Sequence, residues 1–235
     1  MRKLIFITGF FAACSCSSLW ASITVAPDVG VTVNGQTTNF LGTAVPCGAS
    51  VVADVAGVAS PCFSGSGTGT GYTFNFSGSE DPFLSWGFTS SLPGNYTVTF
   101  FTPIVGGASY NSLENAASLT ITNLTNAATT ITNIKVMAEV PAGTNIPGAE
   151  LTDPSFSVPA HHINSTAIGD VTVNQAFTDP TSMEIVLSYT ATGDGSAGFV
   201  GQAILSETPE PGYSVVGLGG TLAVLLIGRR KFRKA

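Results

Sequence analysis

Between residues 22 and 205 apolar and polar side chains alternate with a period of two, and no helical period persists there with caps at its ends. Tyr72, Phe74 and Phe76 alternate with Thr73 and Asn75, and Tyr96, Val98 and Phe100 alternate with Thr97 and Thr99. The pattern recurs in Leu119 and Ile121 against Thr120 and Thr122, and in Ile134, Val136 and Ala138 against Lys135, Met137 and Glu139. Met183, Ile185, Leu187 and Tyr189 stand in the same way against Glu184 and Ser188. Successive side chains of an extended chain point to opposite faces, so each run is a strand with one buried and one largely polar face. Such strands are stable only when sheets cover one another's apolar faces.

Turn residues separate the runs. Asn34-Gly35, between Val31–Val33 and Phe40, is the strongest hairpin signal, because a type I′ turn needs positive φ at both central residues. Leu92-Pro93-Gly94-Asn95, Pro141-Ala142-Gly143, Ile146-Pro147-Gly148 and Asp194-Gly195 are further turn signals. Strands are expected at about 23–33, 36–41, 50–55, 71–77, 83–89, 95–102, 117–123, 129–140, 154–158, 168–177, 182–191 and 197–205. The expected fold is all-β, an antiparallel β-sandwich of jelly-roll or immunoglobulin-like type. Leu119-Thr120-Ile121-Thr122-Asn123 echoes Thr130-Ile131-Thr132-Asn133, which suggests a hairpin around Asn126-Ala127. The run Ser64 to Gly71, with glycine at every second position from Gly65, is expected to be a flexible loop; no lysine and no helix follow it, so it is not a phosphate cradle.

Both ends of the chain differ from this body. Arg2 and Lys3, an apolar run from Leu4 to Ala13 and the small residue Ala21 compose a secretory signal peptide over residues 1–21, with cleavage after Ala21. Phe11-Ala12-Ala13-Cys14 offers the competing possibility of a degenerate lipoprotein box. At the other end Pro209-Glu210-Pro211 closes a linker over 206–211, an uncharged segment runs over 212–228, and Arg229, Arg230, Lys231, Arg233 and Lys234 fill the tail 229–235. As a helix the uncharged segment is about 25 Å long, enough to cross the hydrocarbon core when basic residues snorkel at its cytoplasmic end.

This ending resembles the PEP-CTERM sorting signal, a bacterial C-terminal tag of Pro-Glu-Pro, hydrophobic helix and Arg-rich end, which some naming schemes call an ice-binding protein C-terminal domain. Pro209, Glu210 and Pro211, the glycine-laced segment Val215 to Ile227, and Arg229-Arg230-Lys231 carry the likeness. The resemblance implies an exosortase-type membrane transpeptidase as partner, cutting near Pro-Glu-Pro and passing the body to the cell surface or exopolysaccharide matrix. A plain single-pass anchor would also use the apolar segment and basic flank, but it leaves the proline-bracketed Glu210 without a purpose. Leu84 to Phe100 likewise looks like a stretch of other sorted surface proteins, in which a Pro-Gly turn precedes a Tyr-x-Val-x-Phe strand; its aromatics are expected in the core, and Gly94 at positive φ.

Without the two ends, residues 22–208 hold one basic residue, Lys135, against thirteen acidic ones, a net charge of −12 that the whole-chain value of −6 hides. Nothing there would release counterions from nucleic acid, so nucleic-acid binding is excluded as an expectation. Of the four cysteines, Cys47 and Cys62 lie outside the signal peptide, and in an oxidising compartment a disulfide between them is expected. Closing a loop of about fifteen residues is worth about 3 kcal/mol in the chain-entropy model. A catalytic or metal-binding thiol pair would want a histidine nearby.

Catalytic groups are sparse. His161 and His162 are adjacent and point apart on an extended chain, so they make a poor chelate and are expected as exposed loop residues. Glu80 and Asp81 are neighbours and cannot flank one glycosidic bond, and Asp28, Asp153, Asp170, Asp179 and Asp194 are expected in turns without the spacing of a calcium loop. The protein is therefore expected to be no enzyme, with no metal and no cofactor. Two roles remain: a structural or interaction protein of the envelope or matrix, and a carbohydrate-binding module in which Trp86 stacks on a sugar. Trp86, between Phe83 and Phe88 in strand-like sequence, is expected in the core rather than on a sugar platform. A third reading, ice binding by a flat Thr-x-Thr face, would rest on Thr97-Val98-Thr99 and Thr120-Ile121-Thr122, but these motifs are ordinary for outward strand positions.

Overall fold

In a computed structural model, which describes residues 27–45, 62–79, 82–104 and 109–206, the alternating runs form strands and no helix. Thirteen strands occur among the described residues: β1 (Asp28–Val33), β2 (Gln36–Leu41), β3 (Thr43–Val45), β4 (Cys62–Gly69), β5 (Tyr72–Ser79), β6 (Phe83–Ser90), β7 (Gly94–Pro103), β8 (Ser109–Asn123), β9 (Thr129–Glu139), β10 (Leu151–Val158), β11 (His162–Thr178), β12 (Ser182–Thr192) and β13 (Ser196–Ser206). They make two sheets, a six-stranded one in the order β10-β9-β12-β7-β1-β2 and a seven-stranded one in the order β11-β8-β13-β6-β5-β4-β3. Every strand pairing is antiparallel.

The two halves of the chain are wound differently. Up to β6 sequence neighbours mostly pair as hairpins, as in β1–β2, β4–β5 and β5–β6. From β6 onward the chain passes to the opposite sheet at nearly every connection, β9–β10 excepted, so β6-β13-β8-β11 lies in one sheet and β7-β12-β9-β10 in the other. The last strand, β13, is thus inserted between β6 and β8.

The inward positions are those the alternation marks. Tyr72, Phe74, Phe76, Tyr96, Val98, Phe100, Leu119, Ile121, Ile134, Val136, Ala138, Met183, Ile185, Leu187 and Tyr189 are all buried. Aromatic rings fill the middle: Tyr189 lies 4.5 Å from Phe199 and 5.0 Å from Tyr96 in a near-parallel stack, and Trp86 stacks on Phe100 at 5.4 Å. The Tyr189 hydroxyl donates to Ser90 Oγ at 2.7 Å, which satisfies its polar end, and burial pushes its pKa well above the ordinary value.

Asn34 and Gly35, at φ 51° and 84°, close the β1–β2 hairpin as the turn signal predicts. Three expectations are corrected. The glycine-rich run is not a flexible loop: Cys62–Gly69 is β4, whose Gly65, Gly67 and Gly69 stand directly opposite Phe76, Phe74 and Tyr72. A β-carbon at those positions would fall 2.3, 2.5 and 2.2 Å from the facing rings, so the glycines make room for aromatics that lean over β4. No hairpin forms around Asn126-Ala127 either, because β8 and β9 belong to opposite sheets. The fully buried Asn123 holds that crossing; its amide nitrogen donates to Ala127 O at 2.7 Å and to Val158 O and Pro159 O at 3.0 Å, joining it to the β10–β11 crossing. Finally, Gly94 does not have positive φ; it opens β7, and a β-carbon there would stand 3.2 Å from the Asn34 amide.

Candidate functional site

Trp86 is 2% exposed, on the inward face of β6, and so forms part of the core as expected; it offers no platform to a sugar ring. His161 occupies a turn at φ 59°, where its Nε2 is 3.0 Å from Asn126 Oδ1, and His162 opens β11; both are exposed. Asp179 and Asp194 lie in turns, but Asp28, Asp153 and Asp170 lie in β1, β10 and β11, contrary to the expectation that all five are turn residues. Glu80, Asp81, Ala21, Cys47, Pro209, Glu210, Pro211, Arg229 and Arg230 fall outside the described residues, as do the expected strand 50–55, the signal peptide and the segment 212–228. Cys62 begins β4 and its cross-strand partner is Val45, two residues before Cys47.

Among the described residues the arrangement brings together two kinds of outward surface. The first is a set of hydroxyl rows. On the seven-stranded sheet Ser165, Thr120, Gly198, Thr89, Thr73 and Thr68 are successive cross-strand partners over six strands. At about 4.8 Å per strand the row is about 24 Å long. On the other sheet Thr152, Lys135, Ser188, Thr97, Thr32 and Thr37 form a similar row, in which Thr32 and Thr37 share a hydroxyl hydrogen bond of 2.7 Å. Single-strand patterns such as Thr-x-Thr contain half of this arrangement; register supplies the other half.

Beside the first row lies an open depression of about 480 Å³, where Asn75, Ser85, Ser118 and Gln202 surround the small residues Gly87 and Ala116. Asn75 lies over Gly87, whose β-carbon would meet its Oδ1 at 2.5 Å. Gln202 is fixed from the side by donating to Glu114 Oε1 at 3.1 Å. This surface presents amide and hydroxyl groups around the exposed Val200 and no positive charge, so it suits neutral, hydroxyl-rich ligands better than anions. Sequence reasoning missed it because its residues come from different strands.

The second surface is acidic. Glu184 of β12 is directly opposite Glu139 of β9, and the Gly143 N–H donates to Glu139 Oε2 at 2.9 Å. Burial first, and then the neighbouring Glu139, raise the Glu184 pKa above the ordinary carboxylate value; Gly143 opposes that shift and Asp28 adds to it. No group of three or more metal-ligating side chains occurs among the described residues. The Lys135 ammonium pairs with Glu150 at 2.9 Å on a half-exposed surface.

No family model matches the sequence, and no curated protein matches it. Among solved structures, the chain is similar to TmCBM61 in complex with β-1,4-galactotriose, at 9% identity and a TM-score of 0.27 over 52% of this chain and 71% of that one. It is similar to the family 11 carbohydrate-binding module from Clostridium thermocellum, at 12% identity and a TM-score of 0.20 over 71% and 96% of the two chains. It is also similar to the enzymatically active domain of tailspike protein 4 of bacteriophage CBA120, at 10% identity and a TM-score of 0.27 over 61% of this chain and 19% of that one.

Proposed function

We propose that the protein is an exported, surface-sorted β-sandwich with a non-catalytic structural or interaction role in the cell envelope or exopolysaccharide matrix, processed by an exosortase-type membrane transpeptidase at Pro209-Glu210-Pro211. One observation carries this reading. The interior strand β13 ends at Ser206, three residues before Pro209, so a cut beside Glu210 removes none of the described strands. The strand order of β6 to β13 supports the jelly-roll form of the sandwich. The register of Val45 with Cys62 supports the Cys47–Cys62 disulfide, since it delivers the chain to Cys62 two residues before Cys47. Expression of the full chain, with and without Pro209–Pro211, tests the sorting. Surface-released protein should lack residues 229–235, and the deletion should leave the protein in the inner-membrane precursor. Released protein that keeps Arg229, or an unchanged distribution after the deletion, overturns it.

The alternative role, a carbohydrate-binding module at the cell surface, draws on the depression formed by Asn75, Ser85, Ser118 and Gln202. With Trp86 inside, recognition would proceed by hydrogen bonds from amides and hydroxyls rather than by ring stacking. Retardation of the protein in a gel containing the host exopolysaccharide, lost in Asn75→Ala and Gln202→Ala, favours this role; equal mobility with and without polysaccharide removes it.

A further inference from the structure

Two buried side-chain atoms among the described residues have no hydrogen-bond partner within the chain, the indole nitrogen of Trp86 and the amide oxygen of Asn115. One is a donor and the other an acceptor. Trp86 is 2% exposed and Asn115 is fully buried, so bulk solvent serves neither. A buried polar atom without a partner opposes folding, and protein interiors commonly answer it with an enclosed water.

Register sets the two groups in neighbouring rows of one inward face. In the seven-stranded sheet Trp86 of β6 is opposite Gly201 of β13, and Gly201 is opposite Ala117 of β8. One row further, Leu84, Ala203 and Asn115 stand in line across the same three strands. The indole leans over Gly201: a β-carbon there would stand 2.4 Å from Trp86 Cζ2 and 2.7 Å from Cε2, the ring atom bonded to the indole nitrogen. Gly201 and Asn115 are diagonal neighbours, at about 7–8 Å, and two hydrogen bonds through one water span up to about 5.5 Å. Gly201, Ala203 and Ala117 are the small residues around that gap. The Asn115 amide is held in one orientation. Its nitrogen donates to Ala149 O at 2.7 Å and to Val136 O at 3.4 Å, and a reversed amide would set its oxygen against both carbonyls.

We propose that one enclosed water lies between Trp86 and Asn115, accepting the indole N–H and donating to Asn115 Oδ1. This goes beyond the sorting, envelope and carbohydrate roles and depends on none of them. The water links β6 to β8, and the Asn115 nitrogen continues the link to β9 and the β9–β10 connection on the opposite sheet, so a polar chain crosses an otherwise aromatic and aliphatic core. Neither partner is titratable, and the link holds at any pH at which the protein is folded.

A crystal structure of the purified full chain tests the site. One ordered water should lie about 2.7–3.2 Å from both Trp86 Nε1 and Asn115 Oδ1. No water there, a water touching only one of the two, or a direct bond between them overturns the proposal. In solution the indole proton of Trp86, identified by its loss in Trp86→Phe, should show a nuclear Overhauser effect to a long-lived water, and its absence in the wild type counts equally against the site. Asn115→Leu should abolish that signal; the wild-type measurements decide the matter whether or not this variant folds. In urea unfolding, Asn115→Ala should lower the folding equilibrium constant about fivefold less in Trp86→Phe than in the wild type. Equal losses in the two backgrounds, as two side chains that merely pack would give, overturn it.

Discussion

Glu139 and Glu184 are like charges placed directly across a strand pair, an arrangement that opposes folding by about 0.5 kcal/mol when both are ionised. The sign of the pH dependence follows from the direction of the shift. Glu184 has a raised folded pKa, so its favourable contribution is complete below the unfolded value and is lost as pH rises through the folded one. Thermal unfolding should therefore move to higher temperature as pH falls from 7 toward the ordinary carboxylate range. Glu184→Gln should be more stable than the wild type at pH 7 and should flatten that rise; a variant less stable at pH 7 would show that Gly143 and the local hydrogen bonds outweigh the repulsion. The sequence alone could not indicate this pair. Glu139 and Glu184 are forty-five positions apart, and only the β9–β12 register makes them neighbours.

Strand β4 shows how an element can be hidden by its own composition. Alternate glycines lower strand propensity, so the run from Ser64 to Gly71 suggests a loop. Paired with Tyr72, Phe74 and Phe76, the same alternation becomes a strand whose inward face is supplied by the neighbouring strand's rings. Phe40 completes the arrangement from the opposite sheet, 4.8 Å from Phe74 in an edge-to-face contact. Gly67→Ala should thus destabilise the fold by about 1–3 kcal/mol through overpacking, although alanine is the better strand residue in isolation. Urea unfolding measures it, and a neutral or stabilising result would mean that Phe74 and Phe40 shift at little cost. Where each strand carries its own apolar face, as in β7, β9 and β12, alternation was sufficient to locate the element and its buried residues. It could not locate the crossings between sheets, because the side chains that hold them, above all Asn123, sit among ordinary strand residues and act on carbonyls far along the chain.

At the scale of the molecule, charged side chains are few among the described strands, and the sheet faces present mostly hydroxyls and amides. The depression around Asn75 and Gln202 and the rows through Thr120 and Thr97 draw on five or six strands each, so no local motif could have announced them. With one basic residue between 22 and 208, the sandwich should not retard DNA or bind heparin even at low salt. Mobility shifts with the full chain and with a variant in which Arg229, Arg230, Lys231, Arg233 and Lys234 are neutralised check this. Any binding should vanish in the variant, and binding that persists would place an anion site on the sandwich.

The position of β13 also governs how the molecule bears force. It is held by β6 over eight registered pairs and by β8 over eleven, and the chain leaves it at Ser206. Tension entering through that exit and running along the strand strains both ladders in shear, so many hydrogen bonds must fail together before the strand slips. The same pull on an outer strand such as β2 would load a single described ladder, that with β1. A sandwich tethered at this end is therefore held by an interior strand anchored on both sides.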